Sequence, residues 1–183
     1  MWFFLVILSL SIIGFLIHAY NSKKPLTKFR IVELLLLYQL IFSVGAASLL
    51  GFFGLAFMGK HVAEILNWPE CPFQIELANV NLGYGVLGVM CIWFRKYFWL
   101  ATVVGFSIWI FADGIHHVAD QWLNNNVPLS VVPMVTDFIV PAVLMVLTVL
   151  YFKYMKEFNP EPEKLETGHG HGIKPSTDKE ANH

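Results

Sequence analysis

Charge is scarce in this sequence. Charged residues make up 14% of its 183 positions, hydrophobic ones 56%, and the mean hydropathy is +0.60. A soluble domain of this size needs more polar surface to face water, so most of the outer surface is expected to face lipid. An excess of one sign is lacking as well. Against 12 basic side chains stand 13 acidic ones, no basic stripe forms, and a nucleic-acid partner is excluded. Cysteine is nearly absent, with Cys71 and Cys91 alone. A helical run between them holds them roughly 30 Å apart, whereas a disulfide needs Cα atoms within about 7 Å. Two free thiols are therefore expected. Also missing are the Gly-x-Ser-x-Gly elbow, the Walker loop, the dinucleotide fingerprint and His-Glu-x-x-His. No serine or cysteine has an evident partner base, and there is no internal repeat.

What the sequence has is long apolar runs. About twenty apolar residues carry a helix across the hydrocarbon core, and about five segments qualify: Trp2–Tyr20, Ile31–Met58, Phe73–Phe94, Phe98–Val118 and Val132–Tyr154. The 6 Trp and 16 Phe suit such a chain, since aromatic rings anchor membrane interfaces. The first run follows the initiator Met without a basic leader or a small-residue cleavage site, so a retained helix is expected. In the second run, Gly45-Ala46-Ala47-Ser48 with Gly51 and Gly54 offers small faces for close helix packing.

Basic residues orient the runs. Lys23, Lys24, Lys28 and Arg30 lie between the first and second, Arg95 and Lys96 between the third and fourth, and Lys153 and Lys156 after the fifth. The opposite loops hold Lys60. All three groups fall on one side, which puts the N-terminus outside and the C-terminus in the cytoplasm. The expectation is an all-α integral membrane bundle over residues 1–156 and a polar, disordered cytoplasmic tail over 157–183. The tail's Gly-His-Gly-His-Gly run at 168–172 suits weak metal binding, although a solvated tail explains it more simply.

An ionisable group inside a membrane costs at least a few kcal/mol and asks for a reason. The fourth run carries the densest set: Asp113, His116, His117 and Asp120. At 100° per residue they fall within an arc of about 100°, with Asp–His pairs four residues apart that can hydrogen-bond. The topology places this stripe at the outer end of the run. Glu76, Asn79 and Asn81 near the outer end of the third run join it, with Asn81 pointing away from the other two. Asp137 joins from the start of the fifth run, where Pro141 four residues later leaves the Asp137 carbonyl without its helical donor. His61 and Glu64 lie nearby on a short amphipathic turn. Glu33 and His18 sit at the opposite ends of their runs and are expected to snorkel or to pair with Arg30 or Lys28.

Three readings fit the outer cluster. A buried hydrogen-bonded network that fixes helix register is the simplest. A proton or ion relay comes next, because coupled histidines and carboxylates titrate near neutral pH. The third is a divalent transition-metal site, for which His117, Glu76, Asp137 and His61 are the candidate ligands.

The stretch from Gly59 to Pro141 also carries a recognisable pattern. It contains His61, Trp68-Pro69, Pro72-Phe73-Gln74, Glu76, Asn81-Leu82, Gly85-Val86-Leu87-Gly88, Phe98-Trp99-Leu100-Ala101-Thr102, His117-Val118, and Asp137 with Pro141. With these residues the chain resembles an uncharacterised family of small bacterial multi-pass membrane proteins, a domain of unknown function. The resemblance implies a membrane protein and carries no activity. That family has small residues where Asp113 and His116 stand, and a Pro-Gly-Asn-type loop where this chain has Pro128-Leu129-Ser130. The residues that satisfy both the pattern and the topology are Glu76, Asn81, His117 and Asp137, followed by His61.

The expected protein is thus a multi-pass protein of the bacterial inner membrane, with the bilayer as its first partner and a homo-oligomer or a membrane-protein subunit as a further one. Its biochemical function is not legible beyond a polar, ion- or proton-responsive cluster near the outer face. The alternatives are a metal-binding membrane enzyme and a structural or partner-binding subunit. The topology has a direct check. A reporter fused after His183 is expected in the cytoplasm and a tag at Asn124–Asn126 outside; finding both on one side contradicts five crossings.

Overall fold

The computed structural model describes residues 2–66, 71–124 and 131–158, with the side chains of 5–65, 71–119 and 136–158. Every regular element among them is helical: α1 (Trp2–Asn21), α2 (Lys28–Gln39), a π-helical segment (Leu40–Ala46), α3 (Ala47–Phe57), α4 (Gly59–Leu66), α5 (Phe73–Met90), α6 (Tyr97–Asn124) and α7 (Val131–Phe158). Three stretches are long and apolar enough to cross a membrane: Lys28–Phe57, Tyr97–Ala119 and Thr136–Phe158. The other two expected runs are helical as well but fall outside that set. The described part of α1 is a shorter apolar helix. α5 carries Gln74, Glu76, Asn79 and Asn81 within 18 residues, which dilutes its hydropathy.

The boundaries differ from those expected at three places. The third run stops being helical after Met90, because Cys91-Ile92-Trp93 form a turn. Lys96, with φ 59, occupies the left-handed region that a side chain rarely adopts, and α6 starts one residue later. α7 continues through Glu157 and Phe158, so the chain is still helical where the tail was expected to begin. The remainder of that tail, with its His-Gly run, lies outside the described residues, as do the Trp68-Pro69 and Pro128-Leu129-Ser130 loops.

α2, the π segment and α3 form one rod of 30 residues, about 45 Å long at 1.5 Å per residue. Thr27 starts it with an extended backbone, and its hydroxyl accepts the Arg30 N–H at 3.2 Å, a standard N-cap. α1 packs on this rod through a single narrow stripe. Ile7, Ser11, Gly14 and His18 follow helical spacing, and the Cβ that Gly14 lacks would fall 2.6 Å from the Tyr38 ring. His18 Nδ1 lies 3.1 Å from the Tyr38 hydroxyl, so His18 pairs with that tyrosine and not with Arg30 or Lys28 as expected. Away from that stripe Leu10, Ile12, Ile13, Leu16 and Ile17 are exposed.

The core forms where the rod meets α6 and α7. Leu36, Leu40, Val44, Trp99, Val103 and Leu144 are buried there. The Trp99 indole donates to the Cys91 carbonyl at 2.9 Å, which satisfies a carbonyl at the end of α5. Arg95 lies over the Trp99 ring, 5.4 Å from its centroid. Arg95 also donates to one Glu33 oxygen at 2.7 Å, and Arg30 donates to the other at 2.6 Å. Glu33 therefore pairs with Arg30 as expected and in addition ties the start of α2 to the basic loop before α6. Cys71 and Cys91 are free, the second fully buried.

α5 lies against the rod backbone to backbone. A Cβ on Gly88 would come within 2.3 Å of the Gly45 nitrogen and 2.5 Å of its Cα, and one on Gly85 would meet Leu49 at 2.7 Å. The small faces read from the sequence are thus used. Gly83, on the same helix, meets nothing within 4 Å. Gly88→Ala is expected to destabilise the purified protein by about 1–3 kcal/mol through overpacking. Gly83→Ala should be neutral or stabilising by up to about 1 kcal/mol through helix propensity. Thermal unfolding in detergent checks both, and equal effects would refute the close approach.

Candidate functional site

Polar groups gather where α6 and α7 face the rod. On α6, Asp113 and His117 stand four residues apart and are both half-buried, whereas His116 is exposed. The expected stripe is therefore narrower than its sequence arc. Its inward centre lies between Asp113 and His117, and His116, about 100° from His117, falls over the edge. The Asp120 side chain lies outside the described ones.

α7 supplies Asp137. Its approach to α6 depends on Gly114, where a Cβ would meet the Asp137 Cβ at 3.0 Å and the Phe138 ring at 3.1 Å. Pro141, inside α7, withholds an N–H from the Asp137 carbonyl and favours a bend one turn later. His117 Nε2 and Asp137 Oδ2 are 4.0 Å apart, with the two side chains 21% and 13% exposed. That is an ion-pair distance, longer than a direct hydrogen bond. Asp113 interacts electrostatically with His116 and His117 and with Asp137. Two carboxylates and the half-buried His117 imidazole thus lie within reach of one another's charge, with the exposed His116 at the edge.

This group borders a cavity of about 590 Å³. Asp113, Thr136 and Asp137 line it from α6 and α7, together with Phe106, Trp109, Ile110 and Val140. Gln39, Ser43, Ser48 and Gly51 line it from the rod, Asn81 from α5, and Leu5, Ile7 and Leu8 from α1. Asn81 packs against Gly51, whose missing Cβ would be 2.7 Å from its Oδ1, and donates to the Leu77 carbonyl at 3.0 Å. Ser43 donates to Gln39 Oε1 at 2.8 Å, and Gln39 Nε2 donates to Ser11 Oγ at 2.7 Å, which joins α1, α2 and the π segment by one buried chain.

The other expected members stand apart. Glu76 and Asn79 are exposed on α5 and do not line the cavity. Glu76 sits in the first turn of its helix, where the helix dipole favours a carboxylate without any help from His117. His61 is exposed on α4, 3.8 Å from Glu64 across one turn. The candidate metal ligands His117, Glu76, Asp137 and His61 are consequently not gathered. Among the described residues, no three His, Cys, Asp or Glu side chains form a set that could hold a metal ion.

Sequence reasoning missed Gln39 and Ser43 because neither is ionisable. The available signal was an amide in the middle of Leu34-Leu35-Leu36-Leu37-Tyr38-Gln39-Leu40-Ile41-Phe42. It also missed the π-helical segment, a distortion frequent at functional sites, which leaves no mark in apolar periodicity.

No curated protein and no solved structure matches the chain. One family model does, described as "Family of unknown function (DUF6790)", over residues 1–157. The match extends on both sides of the Gly59–Pro141 stretch.

The His117–Asp137 contact is open to a double-mutant cycle. His117→Gln, Asp137→Asn and the double variant are expected to give a coupling of about 0.5–3 kcal/mol in thermal or denaturant unfolding. Strict additivity would show that the two groups do not interact.

Proposed function

We propose the following for this chain, which belongs to the DUF6790 family of unknown function: it is a multi-pass inner-membrane protein whose cavity between α1, the rod, α6 and α7 is a proton- or ion-responsive site. In this reading α1, the rod, α5, α6 and α7 all cross the bilayer, with the N-terminus outside and the C-terminal tail in the cytoplasm. The observation that carries it is the His117–Asp137 contact across α6 and α7, at the edge of a cavity that Asp113 and Asp137 line.

The physical argument is one of charge in a poorly polarisable space. There, the attraction or repulsion between charges far exceeds its value in water. Moving one proton among two carboxyls and one imidazole changes the field across the whole cavity. Groups so coupled titrate together and not one by one. The remaining polar groups facing them, Gln39, Ser43, Ser48, Asn81 and Thr136, carry no charge, so they do not compensate. Among the described residues His116 is a further charged neighbour of Asp113, on the exposed side of α6. The helix pair that holds the site meets at Gly114, and Pro141 inside α7 leaves one helical hydrogen bond unmade beside it, which makes the α6–α7 contact the place where a change of charge is felt as a force between helices.

The metal-dependent enzyme loses ground to this reading, because among the described residues no three His, Cys, Asp or Glu side chains form a set that could hold a metal ion. The Ser43–Gln39–Ser11 chain supports a register-fixing role for the opposite wall, and that role is compatible with a responsive site. Infrared difference spectroscopy of the full chain in nanodiscs tests the proposal. A carboxylic-acid carbonyl band is expected to change between about pH 5 and pH 8, to vanish in Asp113→Asn/Asp137→Asn, and to move its midpoint in His117→Gln. A band unaffected by these substitutions, or none at all, would sink the reading.

A further inference from the structure

The cavity is larger and more asymmetric than a proton site needs. Its volume of about 590 Å³ falls within the range of small-molecule pockets, about 300–1,000 Å³. Two features describe what would fill it.

The first is the mouth. Leu5 and Leu8 on α1 and Ile139 and Val143 on α7 line the cavity and are at the same time exposed on the outer surface. The cavity therefore opens sideways between α1 and α7, through apolar side chains, toward the space that lipid would occupy. An apolar body can enter there without crossing water. The second is the charge at the inner end. Asp113 and Asp137 line it, and among the described residues no lysine or arginine does. His117, 4.0 Å from the Asp137 carboxylate, is a neighbouring group that can take a positive charge. Trp109 also lines the cavity, held by a parallel stack on Tyr84 at 5.1 Å and 8°. Such a braced ring face attracts a desolvated cation.

An apolar mouth leading to carboxylates and an indole face is complementary to one class of molecule. We propose that the cavity binds a lipophilic organic monocation, an ammonium or phosphonium with an apolar body, which enters from the bilayer and places its charge by Asp113 and Asp137. An anionic headgroup or fatty acid is repelled by the same carboxylates, and an uncharged apolar molecule leaves them without a counter-charge. The inference rests on the proposed function in one respect, that these carboxyls carry charge in part of the working pH range. Cation and proton then compete for the same groups, and by linkage each weakens the other's binding by the same factor.

The test uses the full chain in phosphatidylcholine nanodiscs, with radiolabelled tetraphenylphosphonium as the probe and empty nanodiscs as the blank for partition into lipid. Saturable binding above the blank is expected, stronger at higher pH. Asp113→Asn/Asp137→Asn is expected to weaken it about tenfold or more. Tetraphenylborate, of the same shape and opposite charge, should show only the blank. Val143→Trp, which fills the mouth, should abolish binding, whereas Val149→Trp on the outward face of α7, 65% exposed, should leave it intact. That tryptophan pair keeps the test decisive even if the double asparagine variant fails to fold. Binding no greater than the blank, equal binding of tetraphenylborate, or full binding by Val143→Trp would each overturn the proposal. The infrared titration separates the two ideas. A titrating carboxyl band without phosphonium binding defeats this inference alone; asparagine-sensitive binding without a titrating band defeats the proton-responsive reading alone.

Discussion

A helix apolar enough to cross a membrane brings its few polar side chains into a place where no water will satisfy them. Most of this structure can be read as the consequence. Thr102 and Thr148 return their hydroxyls to the carbonyls four residues back, Phe98 at 2.9 Å and Leu144 at 2.7 Å. Trp99 gives its indole N–H to the Cys91 carbonyl. Gln39, too long for such a local solution, reaches to α1 and to the π segment at once and so decides how α1 lies on the rod. Among the described residues Ser107 Oγ and Arg30 Nε are buried without a hydrogen bond.

Glycine sets the distances within this frame. The Gly45–Gly88 crossing presses α5 onto the rod, and Gly114 lets α7 bring Asp137 up to α6. Helices in contact at these two places leave a gap on the remaining side. α1, which packs by one narrow stripe, closes that gap only in part. The cavity follows from this unequal packing. Its walls are drawn close at two glycine contacts and left apart where α1 and α7 carry larger side chains.

The two ends of the bundle solve the problem of charge differently. At one end Glu33 is held by two arginines at 2.6 and 2.7 Å, partners whose charge is fixed because guanidinium does not lose its proton in proteins. Such a cluster fixes the start of α2 and the loop before α6 relative to each other. Roughly 20 Å along α6 from Trp99, the second group has two carboxylates and one nearby imidazole, so its net charge depends on how many protons the three share. The first cluster is suited to holding the fold together. The second is suited to responding, and it is the one that borders the cavity.

Much of this was legible in one dimension. The apolar runs gave the helices because period and length are local properties, and the basic residues between runs placed Arg30 and Arg95 at one end of the bundle, where both reach Glu33. The Asp113–His117 spacing put them on one face, and their register with Asp137 was readable from the antiparallel order of α6 and α7. The facing of α5 was not legible. Glu76 and Asn81 are five residues apart and point to different sides, and only the Gly45–Gly88 contact decides which side meets the rod. His61 was drawn into the site because depth is all that a topology supplies; distance across the bundle is set by packing. Gln39 and the cavity were invisible for the same reason. A hydrogen bond over 28 residues, or a space between helices far apart in the chain, is a property of the assembled helices, and no single segment contains it.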